Sequence, residues 1–143
     1  MAVRVLIADD HRLFAEALGL ALDADPRLEI LGHARDGKEA VKLAVALEPD
    51  VILMDLDMPI VDGIEATRAV CRSLPTRVAI LTASPDPKDA LRARDAGAAA
   101  YLTKGCSAED VVEAVLELAA SPTARATPSS LPRPLQFRAG LAH

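Results

Sequence analysis

The stretch VILMDLDMPIVDG, residues 51–63, joins a short apolar run to an acid and then to a turn. The run Val51–Met54 is apolar at every position, which is typical of a parallel strand that is buried on both faces. Pro59 and the pair Asp62-Gly63 indicate the turn, after which apolar residues recur at helical spacing. The stretch therefore predicts a strand followed by a helix, with Asp55 at the carboxyl end of the strand.

Similar units flank this stretch on both sides, and five cycles of strand and helix can be counted along the chain. The other predicted strands cover residues 3–8, 29–34, 78–81 and 98–102. Short apolar runs that alternate with helical periods are the pattern of a parallel sheet covered by helices. The sequence therefore predicts an α/β domain.

The predicted helices differ in how clearly the sequence marks them. After the first strand, apolar positions between Leu13 and Leu22 predict a helix with one apolar face. The fourth helix, within residues 84–95, is short, polar and rich in Ala and Arg, which predicts loose packing. Ser107, with Asp110 three residues later, predicts a capping box at the start of the last helix.

Polar residues follow the predicted strands at four places in the chain. They are Asp9 and Asp10, Asp55, Thr82 and Lys104. Ligands of open α/β sheets bind outside the carboxyl ends of the strands, so these side chains are expected to meet in one crevice. Carboxylates are the hard oxygen ligands that Mg²⁺ prefers, and Mg²⁺ takes only one or two of them together with waters and phosphate oxygens. The constellation predicts a magnesium and phosphate site in which a carboxylate acts as the nucleophile.

Composition and charge narrow the possible partners. The 143 residues suffice for one domain, and the net charge of -5 makes the chain acidic. The proline-containing segment 121–143 holds three arginines and no acid, so the preceding body is more acidic than the whole chain. Such a body lacks the basic surface that nucleic acid requires, and we expect no direct DNA binding. Residues 121–143 are predicted to form a flexible linker or tail.

Cysteine usage and hydropathy indicate a cytoplasmic location. Cys71 and Cys106 are far apart and lack neighbours at zinc-ligand spacing, so neither a zinc site nor a disulfide framework is predicted. The apolar run at the amino end is interrupted by Asp9 and Asp10, which makes it too short for a signal peptide or a membrane span. We expect no membrane association.

Residues 1–120 resemble the receiver domain of two-component response regulators. The resemblance rests on ADDH at 8–11, ILMDLDMPIVDG at 52–63, LTAS at 81–84 and YLTKG at 101–105. It is closest to the NarL/FixJ-type subfamily. The resemblance implies a CheY-like, flavodoxin-like fold: a doubly wound sheet of five parallel strands in the order 2-1-3-4-5, with helices on both faces.

The resemblance also implies a role for each site residue. Asp55 would be the phosphoacceptor, and Asp9 and Asp10 would bind Mg²⁺ together with Asp55 and the backbone carbonyl of Asp57. Thr82 and Lys104 would contact the phosphoryl group. Tyr101, expected to be half-buried at a strand end, would act with Thr82 as the switch. The implied partner is a sensor histidine kinase, and a homodimer is possible.

Two features leave alternatives open. Relatives of this type usually continue into a DNA-binding domain that controls transcription, whereas residues 121–143 contain no such pattern. Either that output domain is missing from this sequence or the chain is a stand-alone receiver that acts by protein contact.

A phosphatase of the haloacid dehalogenase type is the enzymatic alternative, because its motifs are similar to Asp55-Leu56-Asp57, Thr82 and Lys104. Its order differs, however, since its DxD follows the first strand, and no cap domain fits here. We therefore expect a phosphoacceptor signalling domain that assists its own phosphorylation and dephosphorylation, not an enzyme.

Overall fold

A computed structural model describes residues 2–83 and 86–121 of the chain. Within them strands and helices alternate, as the sequence predicts. The elements are β1 Val3–Ala8, α1 Arg12–Asp23, β2 Leu28–Ala34, α2 Gly37–Leu47, β3 Val51–Met54, α3 Gly63–Ser73, β4 Arg77–Thr82, α4 Pro87–Ala96, β5 Ala100–Thr103 and α5 Ala108–Ala120. Ser84, which belongs to the LTAS motif, and the predicted tail from residue 122 onward lie outside the described residues.

The five strands form one parallel sheet in the order β2-β1-β3-β4-β5, which confirms the predicted topology. All four residues of β3 are buried, as expected for a central strand covered on both faces. One core lies between the sheet and helices α1 and α5. A second core lies on the other face, against α2, α3 and α4. The topology places the carboxyl ends of β1, β3 and β4 side by side.

Short polar side chains begin four of the helices. Asp36, Asp62, Asp86 and Ser107 each accept a hydrogen bond from a backbone N–H in the first turn of α2, α3, α4 and α5 respectively. The Ser107 N–H in turn donates to the Asp110 carboxylate, which confirms the predicted capping box. These caps fix where each helix leaves its loop.

Helix α4 is the least buried helix, as its polar sequence predicts. Only two of its ten residues, Ala93 and Ala96, are buried. An apolar cleft separates it from β5 and is lined by Leu91, Ala100 and Tyr101 among others. The buried contact of the helix with the sheet is therefore made by alanine methyl groups, which gives it few contacts to lose on moving.

Two predictions about β5 are wrong. The strand begins at Ala100, two residues later than predicted, because residues 97 and 98 complete the end of α4. Gly97 adopts a left-handed conformation with φ 116°, and the Ala98 N–H donates to the Ala93 carbonyl, which is the usual way a helix is closed by glycine. Tyr101 consequently lies inside the strand and is 4 % exposed, rather than half-buried at a strand end.

The predicted apolar face of α1 is also partly wrong. Leu13 is 82 % exposed, whereas Leu18 and Leu22 are buried. Successive residues of an α-helix turn by about 100°, so Leu13 lies about 180° from Leu22 around the axis. The buried face instead runs through Ala15, Leu18, Gly19 and Leu22.

Candidate functional site

The predicted site residues meet at one edge of the sheet. Asp9 and Asp10 follow β1, Asp55 follows β3, and Lys104 follows β5. Thr82 is the last residue of β4 and is fully buried. The Asp55 N–H donates to the Ala8 carbonyl over 2.9 Å, so the two central strands stay paired up to the acids. The structure thus brings carboxylates from two strands together.

The loop after Asp55 is held against the start of α3. The Gly63 N–H donates to the Leu56 carbonyl over 2.8 Å. A Cβ atom at Gly63 would overlap the backbone carbonyl oxygen of Asp55 and crowd the Leu56 Cα atom. The close approach of the two backbones therefore requires glycine at this position.

Asp55 itself is 2 % exposed. Its Oδ2 atom is buried and accepts no hydrogen bond from any of the residues that the structure describes. Burial raises the pKa of the Asp55 carboxyl to about 6, and the Asp9 carboxylate adds to this shift. The Lys104 ammonium opposes the rise, and so does the electrostatic interaction with His11. A buried oxygen without a hydrogen-bond partner is costly, so it marks the place where a ligand is expected.

Lys104 bridges the two carboxylates that face it. Its Nζ atom lies 2.7 Å from Asp9 Oδ2 and 3.5 Å from Asp55 Oδ2. Its backbone N–H donates to the Thr82 carbonyl over 2.8 Å, which fixes the start of the side chain against β4. The same Nζ atom lies 4.7 Å from the ring centroid of Phe14, within range of a cation–π contact.

Thr82 and Tyr101 occupy neighbouring strands, as predicted. Ile80 pairs with Tyr101, and Thr82 pairs with Thr103 two residues further along. Because side chains alternate along a strand, Thr82 and Tyr101 face the same side of the sheet, diagonal to one another. Burial raises the pKa of the Tyr101 phenol to about 12, with further contributions from Asp89, Asp86 and Asp57.

Two residues of the site were not predicted from the sequence. The His11 Nδ1 atom lies 3.1 Å from Asp9 Oδ1 and 3.2 Å from Lys104 Nζ, and the Phe14 ring faces the same lysine. The order Asp9, Asp10, His11 was itself a signal, because a third possible metal ligand directly follows the acid pair. For Phe14 the sequence holds no comparable signal, since the residue reads as part of an apolar helix face.

The acid cluster could bind a metal ion. Asp9, Asp10, His11 and Asp55 each offer a ligand atom, and these four atoms lie within 4.8 Å of one another. Three of the donors are carboxylates, which suits a hard divalent cation. Asp57 lies in the following loop with an exposed side chain. The predicted part of its backbone carbonyl in metal binding stays a prediction.

Comparisons with known proteins identify similar sequences and folds. Residues 5–116 match the model of the response regulator receiver domain. The chain is 44% identical over 114 residues to the transcriptional regulatory protein LiaR of Bacillus subtilis (strain 168), covering 79% of this chain and 54% of LiaR. Among solved structures, it resembles the signal receiver domain of the putative response regulator NarL from Mycobacterium tuberculosis. That match has a TM-score of 0.80 and 39% identity, and covers 82% of this chain and 96% of the other.

One relative is an enzyme, but the similarity covers only a small part of it. The chain is 44% identical over 106 residues to protein-glutamate methylesterase/protein-glutamine glutaminase 2 of Photobacterium profundum. The match spans 73% of this chain and only 27% of that protein. The chain thus spans about half of LiaR and about a quarter of the methylesterase.

None of the helices in the described part of the chain has the length and apolar character needed to cross a bilayer.

Proposed function

Because the chain belongs to the family of response regulator receiver domains, we propose that it accepts a phosphoryl group on Asp55 from a sensor histidine kinase and changes its surface in response. The observation that supports this proposal is the environment of the Asp55 carboxylate. The carboxylate is buried at the carboxyl edge of the sheet, one of its oxygens has no hydrogen-bond partner within the described residues, and Lys104 lies 3.5 Å away. An oxygen so placed is poorly solvated and faces a cation, as a nucleophile toward phosphate requires.

The residues around Asp55 have separate parts in the transfer. An Asp55 oxygen forms the new bond to phosphorus while the bond from phosphorus to the histidine nitrogen of the kinase breaks. Lys104 and the Thr82 hydroxyl contact the phosphoryl oxygens and offset their charge. Asp9, Asp10, Asp55 and the Asp57 carbonyl would hold Mg²⁺, which would supply charge neutralisation for the phosphoryl oxygens.

The response to phosphorylation runs through Thr82 and Tyr101. The phosphoryl group adds close to two negative charges beside Thr82, which draws the hydroxyl toward it. The diagonal placement of Thr82 and Tyr101 on one face of the sheet lets the ring respond to that movement. The cleft between α4 and β5 offers room for rearrangement, and the sparsely buried α4 is the element able to shift.

The output lies in other parts of a signalling system. We propose transcription control through a DNA-binding domain outside this chain, because LiaR is named a transcriptional regulatory protein. Residues 1–120 form the receiver domain and residues 121–143 a linker or tail. The acidic receiver does not itself bind DNA and acts in the cytoplasm, and phosphorylation alters any contact that it makes with a second copy of the chain. It is a signalling domain, not an enzyme.

The haloacid dehalogenase alternative is overturned by the fold and the family match. The acid pair Asp9 and Asp10 follows β1, whereas Asp55-Leu56-Asp57 follows β3. A phosphatase of that type carries its DxD after the first strand. Together with the family match over residues 5–116, this order of motifs argues against the phosphatase hypothesis.

Intact mass spectrometry tests the proposal directly. After incubation with acetyl phosphate and Mg²⁺, the wild-type chain should gain the mass of one phosphoryl group. The Asp55→Asn variant should gain none. Asp57→Asn is the matched control, because it changes the other acid of the DxD pair but keeps the backbone carbonyl; it should still be phosphorylated. A phosphoryl group on Asp55→Asn would show that the nucleophile lies elsewhere.

A further inference from the structure

The imidazole ring of His11 lies among the carboxylates rather than in solvent alone. Its Nδ1 atom is close to one oxygen of each acid: 3.1 Å from Asp9 Oδ1, 3.4 Å from Asp10 Oδ1 and 3.7 Å from Asp55 Oδ2. The backbone helps to place the ring, since His11 is the N-cap residue of α1 and its N–H donates to Asp9 Oδ1 over 2.8 Å.

We propose that His11 is a nitrogen ligand of the divalent ion and gives this site a preference for Mn²⁺ over Mg²⁺. The inference rests on the proposed function, because it concerns the ion that the phosphoacceptor site holds. It adds a ligand and a metal selectivity that the acid pair and Asp55 alone do not supply.

The distances from the His11 nitrogen to the three acids fit coordination of one ion. In octahedral coordination with metal–ligand distances near 2.1 Å, neighbouring ligands lie about 3 Å apart and opposite ligands about 4.2 Å apart. The three distances from His11 Nδ1 to Asp9, Asp10 and Asp55 fall within that interval. The imidazole nitrogen therefore already occupies a ligand position relative to all three carboxylates.

The buried oxygen of Asp55 independently indicates a missing ligand. Asp55 Oδ2 has no hydrogen-bond partner within residues 2–83 and 86–121. The nearby Lys104 ammonium lies closer to Asp9 than to Asp55, at 2.7 Å against 3.5 Å. A divalent cation bound to both His11 Nδ1 and Asp55 Oδ2, which lie 3.7 Å apart, would satisfy this oxygen.

The hydrogen bonds available to His11 lead to the same conclusion. Its Nδ1 atom is 3.2 Å from Lys104 Nζ, which can only donate, and 3.1 Å from Asp9 Oδ1, which as a carboxylate can only accept. A single ring nitrogen cannot accept from one and donate to the other at once. A metal ion resolves the conflict, because it takes the lone pairs of the nitrogen and of the carboxylate together.

The chemistry of the nitrogen determines the selectivity. Mg²⁺ is bound through oxygen ligands and keeps several waters, whereas imidazole suits first-row transition ions. Carboxylates also suit Mn²⁺, so a set of three acids and one imidazole favours Mn²⁺ without excluding Mg²⁺. Removing the imidazole should return the site to the selectivity of an all-oxygen set.

The test compares Mn²⁺ and Mg²⁺ binding to the full chain by calorimetry. In His11→Ala and in the more conservative His11→Gln, the ratio of Mn²⁺ to Mg²⁺ affinity should fall about tenfold relative to wild type. His33→Gln is the matched control, because His33 lies on β2 outside the acid cluster, and it should keep the wild-type ratio. Equal ratios in wild type and both His11 variants would overturn the inference.

Pulsed EPR of bound Mn²⁺ gives a readout that needs no variant. Wild type should show modulation from a directly bound ¹⁴N nucleus, and ¹⁵N labelling of histidine should change it. Absence of nitrogen coupling in wild type rejects His11 as a ligand even if Asp55 is phosphorylated normally. A wild-type chain that binds neither ion and gains no phosphoryl mass instead rejects the proposed function.

Discussion

The Lys104 Nζ atom lies 4.7 Å from the centroid of the Phe14 ring. The same atom is 2.7 Å from Asp9 Oδ2, so an aromatic ring on α1 and a carboxylate at the end of β1 both hold the ammonium. Lys104 is 12 % exposed, which strengthens both contacts relative to the surface of the protein. Helix α1 therefore contributes to the position of the cation at the phosphoacceptor site.

Replacing Phe14 with leucine should remove the aromatic contact with the Lys104 ammonium while keeping an apolar side chain. We expect Phe14→Leu to lower the free energy of unfolding by about 1 kcal/mol, the usual size of a partly buried cation–π contact. Urea denaturation measures this. A double-mutant cycle with Lys104→Met isolates the contact from lost packing. If the cost of Phe14→Leu is the same in both backgrounds, the ring does not stabilise the ammonium.

The ionised carboxylate of Asp55 should lower the free energy of unfolding at pH values above its pKa, because it is buried. The folded pKa is about 6 against an ordinary value of 3.8, so ionising Asp55 in the folded chain costs up to about 3 kcal/mol. Because the folded pKa is raised, the stabilising effect of the protonated form is complete below pH 3.8 and is lost as the pH rises through 6. Without divalent ions, Asp55→Asn should therefore exceed wild type in stability at a pH of about 7.5.

Urea denaturation of wild type and Asp55→Asn at several pH values from about 4 to about 7.5 measures this difference. The gap in unfolding free energy should widen up to a pH of about 6 and then stay constant. Asp57→Asn controls for the loss of one nearby negative charge, since its side chain is exposed. A gap that does not change with pH, or one that Asp57→Asn reproduces, contradicts burial of Asp55 as the cause.

A methyl group at Gly63 should damage the site through the backbone. In Gly63→Ala the new Cβ atom would overlap the Asp55 carbonyl oxygen, so the loop has to shift. We expect a loss of about 2 kcal/mol in unfolding free energy, typical of overpacking, and slower phosphorylation. Gly32→Ala is the control, because a Cβ atom there meets nothing within 4 Å. Equal stability and phosphorylation rates in the two variants would exclude this effect.

The Tyr101 phenol should ionise only at strongly alkaline pH. The chain has one tyrosine and no tryptophan, so tyrosinate absorbance reports on this ring alone. We expect a midpoint near pH 12 in the folded chain and about 10 in urea. Circular dichroism at each pH checks that the chain is still folded. A folded midpoint near 10 would mean that the ring is open to solvent.

The periodic patterns of the sequence predict the parallel sheet and the meeting of the acids at its edge, whereas the strand order is implied by the resemblance to receiver domains. A buried run such as Val51–Met54 carries its own signal, and the parallel topology then places Asp9 and Asp55 together. The burial of Tyr101 was missed because it depends on how the Gly97 turn shifts the start of β5. The position of Leu13 was missed because an apolar side chain at helical spacing can still lie on the exposed face.

Contacts between distant elements could not be predicted either. The approach of Phe14 to Lys104 depends on the way α1 packs against α5 and the loop that follows β5, and nothing in either segment alone encodes it. The place of His11 follows from the geometry of the N-cap of α1, although its position after two acids was visible. Local patterns thus determine the elements, whereas the completed site depends on their packing.

The strand order places one part of the site on stable central strands and the other part beside a helix that opens more easily. Strands β1 and β3 are hydrogen-bonded on both sides, so their amides should be the last to exchange with deuterium, and Asp9 and Asp55 directly follow them. Tyr101 lines the cleft beside α4, whose amides should exchange first. Local opening of α4 can therefore remodel the outer surface while the ion ligands stay in register.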